Sequence, residues 1–471
     1  MIAYREQILT GWGNVAGERA RIYRPERLGD LRDAVETCGE TLISRGLGRG
    51  YGDAAINAGV VSHLRLNRML AFDDQRGIVE CEAGVTFDDL LRVGLPRGFF
   101  PAVTPGTKHV TIGGAIAADV HGKNHHADGS LADCLLDFRL LTASGETLRC
   151  SRTENAAAFW ATLGGMGLTG AIVDARLRMR PVTSAFLTVD YEKTADLDAT
   201  LERFAQGDAR YQYSVAWIDC LARGPSLGRS VLMRGNHTPV EELPADIGPH
   251  LASPSGREYG PHLTSPRGRG KLRMPCFLPN LVLNSWSVRA FNALYYRRHG
   301  DRRAVVDYDT FFYPLDAVAD WNRIYGRRGF LQYQAVFPTA TSRTGLVALL
   351  EALAASRQAS FLAVLKTFGP ANQGLLSFPV AGSTLAVDLP NTGPAVMGLL
   401  DDLDEIVIRH GGRVYLAKDV RLSRRAFEAM YPQADEFRRI KAAIDPQGRF
   451  DSALARRLGL SGEIGQQRAA A

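Results

Sequence analysis

The chain has 471 residues, 45% of them apolar and 23% charged, with a mild net charge of +6. Single cores stop growing near about 250–300 residues, so two or three domains are expected, and the composition is that of a globular protein without a nucleic-acid-binding module. The six cysteines form no CxxC pair, no apolar run is long enough to span a bilayer, and Met1 to Glu6 lacks the apolar core of a secretory signal; free thiols in a reducing compartment, no membrane helix and no leader are therefore expected.

Residues 10–24, with Thr10-Gly11-Trp12-Gly13-Asn14, read as a turn-rich start. The spacing of Leu28, Leu31, Ala34 and Val35 predicts a helix over 28–38, followed by a short strand at Thr41-Leu42-Ile43. Strands are predicted at 60–66 and 77–85. A helix follows at 87–93, with Thr86 as N-cap and Asp89 three residues on. Residues 135–141 and 146–150 read as a hairpin around Ala143-Ser144-Gly145, 154–163 as a helix, and 168–179 as a strand. Beyond Pro181 the pattern becomes an antiparallel sheet with helices on one face: strands at 186–191 and 211–218, a helix at 197–204, then strands at 310–313, 329–337, 361–366 and 383–388. Helices fit 343–356 and 394–410. Gly411 to Asp419 reads as a strand running into a polar site, and helices are expected around 427–431 and 436–444.

Residues 251–303 carry ten Lys or Arg against two acids, and the part up to Arg273 is rich in Gly, Pro and Ser. The aromatic stretch behind it, with Phe277, Trp286, Phe291, Tyr295 and Tyr296, suits an interfacial membrane element; a buried helix preceded by a solvated loop explains it equally well.

Two glycine-bearing runs stand out. The first is Arg45-Gly46-Leu47-Gly48-Arg49-Gly50-Tyr51-Gly52-Asp53; the second is Pro105-Gly106-Thr107 with Thr111-Ile112-Gly113-Gly114, leading into His121-Gly122-Lys123-Asn124-His125-His126. Glycine lets backbone N–H groups approach a ligand closely and form an anion cradle. Two such loops with a His cluster behind them suggest one long phosphate-bearing ligand lying between. A Rossmann turn is disfavoured: Tyr51 to Gly59 is too glycine-rich to open a helix, and no acidic residue follows in the right strand context. The HxxxHH spacing comes with no matching carboxylates, so a metal is not expected, and no G-x-S-x-G elbow is present. Farther on, Gln332 and Gln334 share one strand face, while Lys366 and Lys418 each close an apolar strand. Taken singly, each lysine is explained by snorkelling to solvent; together the four side chains suit a pocket for hydroxyls and phosphate.

The runs Leu9 to Gly13, Arg45 to Arg49, Tyr51 to Asp53, Pro105 to Thr107, Val110 to Ala117 and His121 to His126 resemble the polyprenyl-phosphoryl-ribose-oxidising branch of the vanillyl-alcohol-oxidase-like FAD family. So do Phe159 to Thr162, Gly167 to Gly170, Gly329 to Gln334, Phe368 to Pro370, Leu376 to Pro379 and Ala417 to Asp419, so that the likeness covers nearly the whole chain. The resemblance implies an α+β, two-domain PCMH-type FAD-binding fold with an inserted antiparallel-sheet substrate domain. Its implied boundaries are 1–185 and 411–471 for the FAD-binding domain and 186–410 for the substrate domain. It implies that Ser44, Arg45, Gly46, Leu47, Gly48, Arg49, Gly50, Tyr51, Gly52, Asp53 and Ala54 hold the pyrophosphate and ribityl chain, with Gly106, Thr107, Thr111, Ile112, Gly113 and Gly114. His121, Gly122, Lys123, Asn124, Ile172 and Tyr415 would also touch the flavin, and Gln332, Gln334, Lys366, Asn372 and Lys418 would line the substrate pocket. Many relatives attach FAD covalently through a His in the first glycine loop; Arg49 stands there, so non-covalent FAD is expected. Relatives also carry a Cys before the Val387-Asp388 pair, where this chain has Ala386, so inhibitors aimed at that thiol are expected to fail.

The implied activity is FAD-dependent oxidation of the C2′ hydroxyl of decaprenylphosphoryl-β-D-ribofuranose to the 2′-keto sugar, with Lys418 as base or orienting group and His121 as second candidate. A separate NAD(P)H-dependent reductase would complete epimerisation to the arabinose form, a cell-envelope arabinose donor. Peripheral contact with the inner membrane, on its cytoplasmic face, is expected. An oxidase of a free sugar, alditol or aldonolactone, and a non-catalytic flavin- or lipid-binding protein at a membrane surface, are the alternatives.

Overall fold

The computed structural model describes residues 3–15, 17–244, 272–279, 283–358 and 361–461. The amino-terminal part builds two sheets. A four-stranded sheet runs Tyr4–Leu9, Glu18–Tyr23, Gly59–Ser62, Leu42–Arg45, its first pair antiparallel and the rest parallel. A second sheet runs Met69–Asp73, Ile78–Glu82, Ala171–Pro181, Leu135–Leu141, Thr147–Ser151, with Phe99–Pro101 also paired to the 171–181 strand. The helix Leu28–Thr37 buries Leu31, Ala34 and Val35, as its spacing requires. Helix Phe87–Gly94 starts at a capping box in which Thr86 accepts from the Asp89 amide and Asp89 accepts from the Thr86 amide.

The middle of the chain forms one eight-stranded antiparallel sheet. Its order is Arg302–Asp307, Phe186–Thr194, Ser230–His237, Tyr213–Ile218, Ala363–Phe368, Gly382–Pro390, Phe330–Pro338, Arg413–Val414. Alternation along the 330–338 strand sorts its two faces. Leu331, Tyr333, Ala335 and Phe337 are buried with Leu349, Leu353, Leu400 and Leu403 of helices Ser342–Ser356 and Pro394–Arg409. Gln332 and Gln334 point the other way, towards the glycine runs. The sheet is thus covered by helices on one face and offers a polar patch on the other.

The carboxy-terminal helices return to the first glycine loop. Leu42 pairs with Phe450, and the Leu42 amide donates to the Arg449 carbonyl at 2.8 Å. On helix Ala453–Leu458, Arg457 reaches Asp53 at 2.8 Å and Asp419 at 2.8 Å.

Several local expectations are corrected. Residues 308–312 form a helix, not a strand, because Asp307 caps it by accepting from the Thr310 amide at 2.9 Å. The strand expected over 411–419 is confined to Arg413–Val414, after which Leu416–Lys418 turns as a 3₁₀ helix and aims Lys418 back at the glycine loop. The start is less irregular than its turn residues suggest, since Glu18–Tyr23 is a strand. Of the basic segment over 251–303, residues 251–271 lie outside the described residues. Helix Ser285–Arg298 is described: Val288 and Asn292 are buried, and Trp286 stands 78% exposed.

Candidate active site

The strand Leu42–Arg45 delivers the chain into the first glycine loop. A Cβ on Gly46 would sit 2.1 Å from the Thr111 hydroxyl, so this contact joins the two glycine runs and tolerates no side chain. Gly48 turns the loop at φ +67°, directly against the Arg45 guanidinium. Arg45 donates to the Thr10 carbonyl at 2.7 Å and the Ala55 carbonyl at 3.0 Å, which makes it a brace under the loop. Across from it, Gly106 has no heavy atom within 4 Å of where its Cβ would lie. Gly106 therefore faces open space.

That space is one cavity of about 560 Å³, bounded by both glycine runs, the His121 segment and the polar face of the large sheet. Ser44 to Tyr51, Ala54, Gly106, Thr107, Thr111, Gly113, Gly114, His121, Gly122, Lys123, Ile172 and Tyr415 all line it, as do Gln332, Gln334, Lys366 and Lys418. No described Asp or Glu does, whereas three lysines and three arginines do, so the cavity suits an anion.

Five expected residues do not reach the cavity. Gly52 packs against the Asp419 carbonyl, where a Cβ would come to 1.7 Å. Asp53 is held by Arg457. Ile112 is wholly buried in the core beneath the second run. Asn124 donates to the Ala102 carbonyl and to Asp128. Asn372 donates to Asp119 at 2.6 Å and to Ser130 at 2.9 Å, so its amide braces a buried carboxylate and is not free for substrate.

Where the second glycine run ends, His121 lies among Phe368, Phe378 and Tyr415, its ring 4.8–5.5 Å from theirs. The Thr384 hydroxyl donates to the Ala335 carbonyl and accepts from the Gln334 amide nitrogen, which fixes that amide's orientation. Gln334 then also donates to His121 Nε2 at 3.0 Å. Burial, reinforced by Lys366, drives the His121 pKa well below the ordinary value, so the ring is neutral with its proton on Nδ1. Nδ1 is buried and has no partner, which leaves a donor for a ligand.

Three lysines surround this histidine's pocket. Burial pulls Lys366 down to about 8. Burial, then Lys366, pulls Lys123 down to about 7. Lys123 donates to the Phe311 carbonyl and Lys366 to the Gly122 carbonyl at 3.4 Å. Burial also lowers Lys418; Asp388 opposes this and Lys366 adds to it. Asp388 is fully buried and accepts from Gln332, and burial raises its carboxyl.

Sequence reasoning missed further lining residues. Trp12 stacks under the Arg49 guanidinium at 3.8 Å, and Arg49 Nε is buried without a partner. His63 bonds Ser44 at 3.0 Å while its Nδ1 remains unpartnered. Tyr191, Val215, Trp217 and Met233 line the far end. Only the sheet register brings those four together; their spacing along the chain carries no signal.

The match to known proteins agrees with this geometry. Residues 20–151 match the FAD binding domain family and residues 394–458 the D-arabinono-1,4-lactone oxidase family. The glycine cradle without side chains, the basic lining and the unpartnered Arg49 and His63 nitrogens fit a dinucleotide, so the fold and cavity are those of an FAD-dependent oxidoreductase of the vanillyl-alcohol-oxidase type. The chain is 39% identical to a decaprenylphosphoryl-beta-D-ribose oxidase of Mycolicibacterium smegmatis, over 96% of this chain and 97% of that one, and it belongs to that family. It is also 37% identical to an uncharacterized protein of Streptomyces coelicolor, over 80% of this chain and 100% of the other, and 25% identical to an L-gulonolactone oxidase of Scyliorhinus torazame, over 91% and 92%.

Proposed function

We propose that the protein oxidises the C2′ hydroxyl of decaprenylphosphoryl-β-D-ribofuranose, or a close polyprenyl homologue, to the 2′-keto sugar. The observation that carries this reading is a cavity lined by lysines and by no described carboxylate, which joins a glycine cradle to the sheet face bearing Gln332 and Gln334. The near full-length likeness to a named decaprenylphosphoryl-ribose oxidase supports the substrate class.

FAD, held non-covalently by the backbone of residues 44–51 and 106–114, supplies the hydride acceptor. The chain's own groups bind the substrate and move the proton. Lys418 in its neutral form takes the C2′ hydroxyl proton; burial makes that form accessible near neutral pH. His121 donates from Nδ1 to a ligand oxygen. Lys366 pairs with the phosphate, and the aromatic wall around His121 keeps water from the reacting carbon. A separate NAD(P)H-dependent reductase would return hydride to the opposite face of the ketone and complete epimerisation to the arabinose donor used in the cell envelope.

Helix Ser285–Arg298 supports peripheral contact with a membrane surface, for which the cytoplasmic face of the inner membrane is our reading. Trp286 is 78% exposed, Leu294 and Phe291 are exposed on the same helix, and Arg289, Arg297 and Arg298 accompany them. The flavin-domain boundaries near 185 and 411 form part of the same reading, with 411–461 clasping the first loop.

The test is anaerobic mixing with polyprenyl-phosphoryl ribose. Bleaching of the flavin absorbance, with formation of a keto sugar, is expected. A protein purified without flavin, or flavin that stays oxidised, would sink the reading. The 394–458 match and the L-gulonolactone oxidase likeness favour a second reading, an aldonolactone or free-sugar oxidase, which predicts bleaching by those sugars without a lipid.

A further inference from the structure

We propose that the far half of the cavity is a seat for the first isoprene units of the substrate, with Lys366 marking where phosphate gives way to lipid. This rests on the substrate class proposed above and specifies which part of the chain recognises the tail.

The register of the large sheet orders the cavity lining. Residues two apart on a strand share a face, and partners across strands stand side by side. One row of cavity-lining residues crosses four strands: Gln334 is opposite Ala386, Ala386 opposite Val364, and Val364 opposite Trp217. Farther on, Val215 is opposite Met233 and Met233 opposite Tyr191. Read from the His121 end outward, the lining is glutamine and lysine first, then aliphatic and aromatic. Along the 363–368 strand the same change occurs within one face, from Lys366 to Val364 and on to Leu362.

This order matches a sugar phosphate carrying a hydrocarbon tail. The distance fits as well: from the 363–368 strand to the 186–194 strand is three interstrand steps, ~14 Å, enough for the first few isoprene units. Helix Ser285–Arg298 roofs this stretch, with Tyr295 4.5 Å from Trp217 and His299 4.1 Å from Tyr295. Arg302 lies 4.7 Å over the Tyr191 ring at the outer end. The Trp217 indole N–H already donates to the Phe361 carbonyl at 3.2 Å, so it offers the cavity ring surface and no donor. The polar groups of this half, on Tyr191, Tyr295, His299 and Arg302, belong to its roof and outer end, while its floor of Val364, Trp217, Val215 and Met233 offers a hydroxyl no partner and a prenyl chain an apolar surface.

The test compares dimethylallyl-, geranyl- and farnesyl-phosphoryl ribose as substrates of the flavin-loaded enzyme. In the wild type kcat/KM should rise about tenfold or more from the shortest to the longest, because each added methylene is removed from water. Met233→Trp, which fills the seat, should reduce that ratio to about twofold or less, chiefly through KM, while Met233→Leu should keep it. If Met233→Trp does not fold, Val364→Phe carries the same expectation. Equal turnover of every length, or a length dependence untouched by the filling variant, would overturn the seat while leaving the proposed reaction standing. Failure of all three substrates to bleach the flavin would overturn both.

Discussion

The Lys418 ammonium stands 3.9 Å from the centroid of the Tyr51 ring, so the first glycine loop and the 3₁₀ turn before Asp419 meet at the wall of the cavity. The ring face and Asp388 favour the charged lysine, and burial favours the neutral one. A base poised between its two forms is the arrangement expected for proton abstraction near neutral pH. Lys418→Met should therefore slow substrate bleaching by about 10²–10⁴-fold. Its flavin-to-protein ratio should equal the wild type's; a variant that keeps wild-type bleaching would remove Lys418 from the chemistry.

Asp388 holds the proton on Lys418, so deleting its charge has a defined sign. In Asp388→Asn the Lys418 pKa should fall further, and the acid limb of kcat/KM against pH should move to lower pH. A limb that stays put or moves up would mean that another group titrates there. Asparagine can still accept from Gln332, which keeps the local packing.

Anion binding should take up protons. Lys366 is pulled down to about 8 and Lys123 to about 7. A phosphate beside them favours their charged forms and raises both values. Below the unliganded values both lysines are already charged, and no proton is needed. Above about 8 each binding event must charge a neutral Lys366, so affinity should weaken as pH rises through that range. Calorimetry in two buffers of different ionisation heat, near pH 8, should give net proton uptake, and Lys366→Met should diminish it.

Gly46 and Gly106 separate folding from cofactor binding. A side chain at Gly46 must displace Thr111, so Gly46→Val should lower Tm even without flavin. A Cβ at Gly106 would meet no protein atom within 4 Å. Gly106→Val should therefore leave the Tm of the flavin-free protein unchanged and reduce flavin retention. Equal losses of Tm in both variants would contradict this picture of the cradle.

Asn372 belongs to the scaffold. Its amide, with Ser377, supports the buried Asp119 carboxylate, and Asp119 itself adopts φ 39°. Asn372→Ala should destabilise the protein by about 1–3 kcal/mol in denaturant melts, with KM little changed.

Much of this was readable from local pattern. The capping box at Thr86 and Asp89, the alternation that turns Gln332 and Gln334 to one face, and the glycine spacing are short-range signals that tertiary structure did not override. Reading failed where the deciding partner is distant. The aromatic run at 310–313 looks like a strand, but Asp307 caps a helix and Tyr308, Phe311 and Phe312 pack into a core against the 186–194 strand. Asn372 is placed in the pocket by the resemblance alone, and no local pattern corrects this because its partner Asp119 is 253 residues away in sequence. Trp217 and Tyr191 escaped notice because only strand register makes them neighbours of the pocket.

The clasp from Arg457 to Asp53 and Asp419 bears on the order of biosynthesis. It joins residues 404 apart, so the loop that cradles the cofactor emerges from the ribosome long before the arginine that secures it. Asp419 is also made late, and once it sits beside Asp53 the two carboxylates repel each other beneath the loop unless Arg457 supplies the countercharge. The loop thus gains this clasp only when nearly all of the chain has been made.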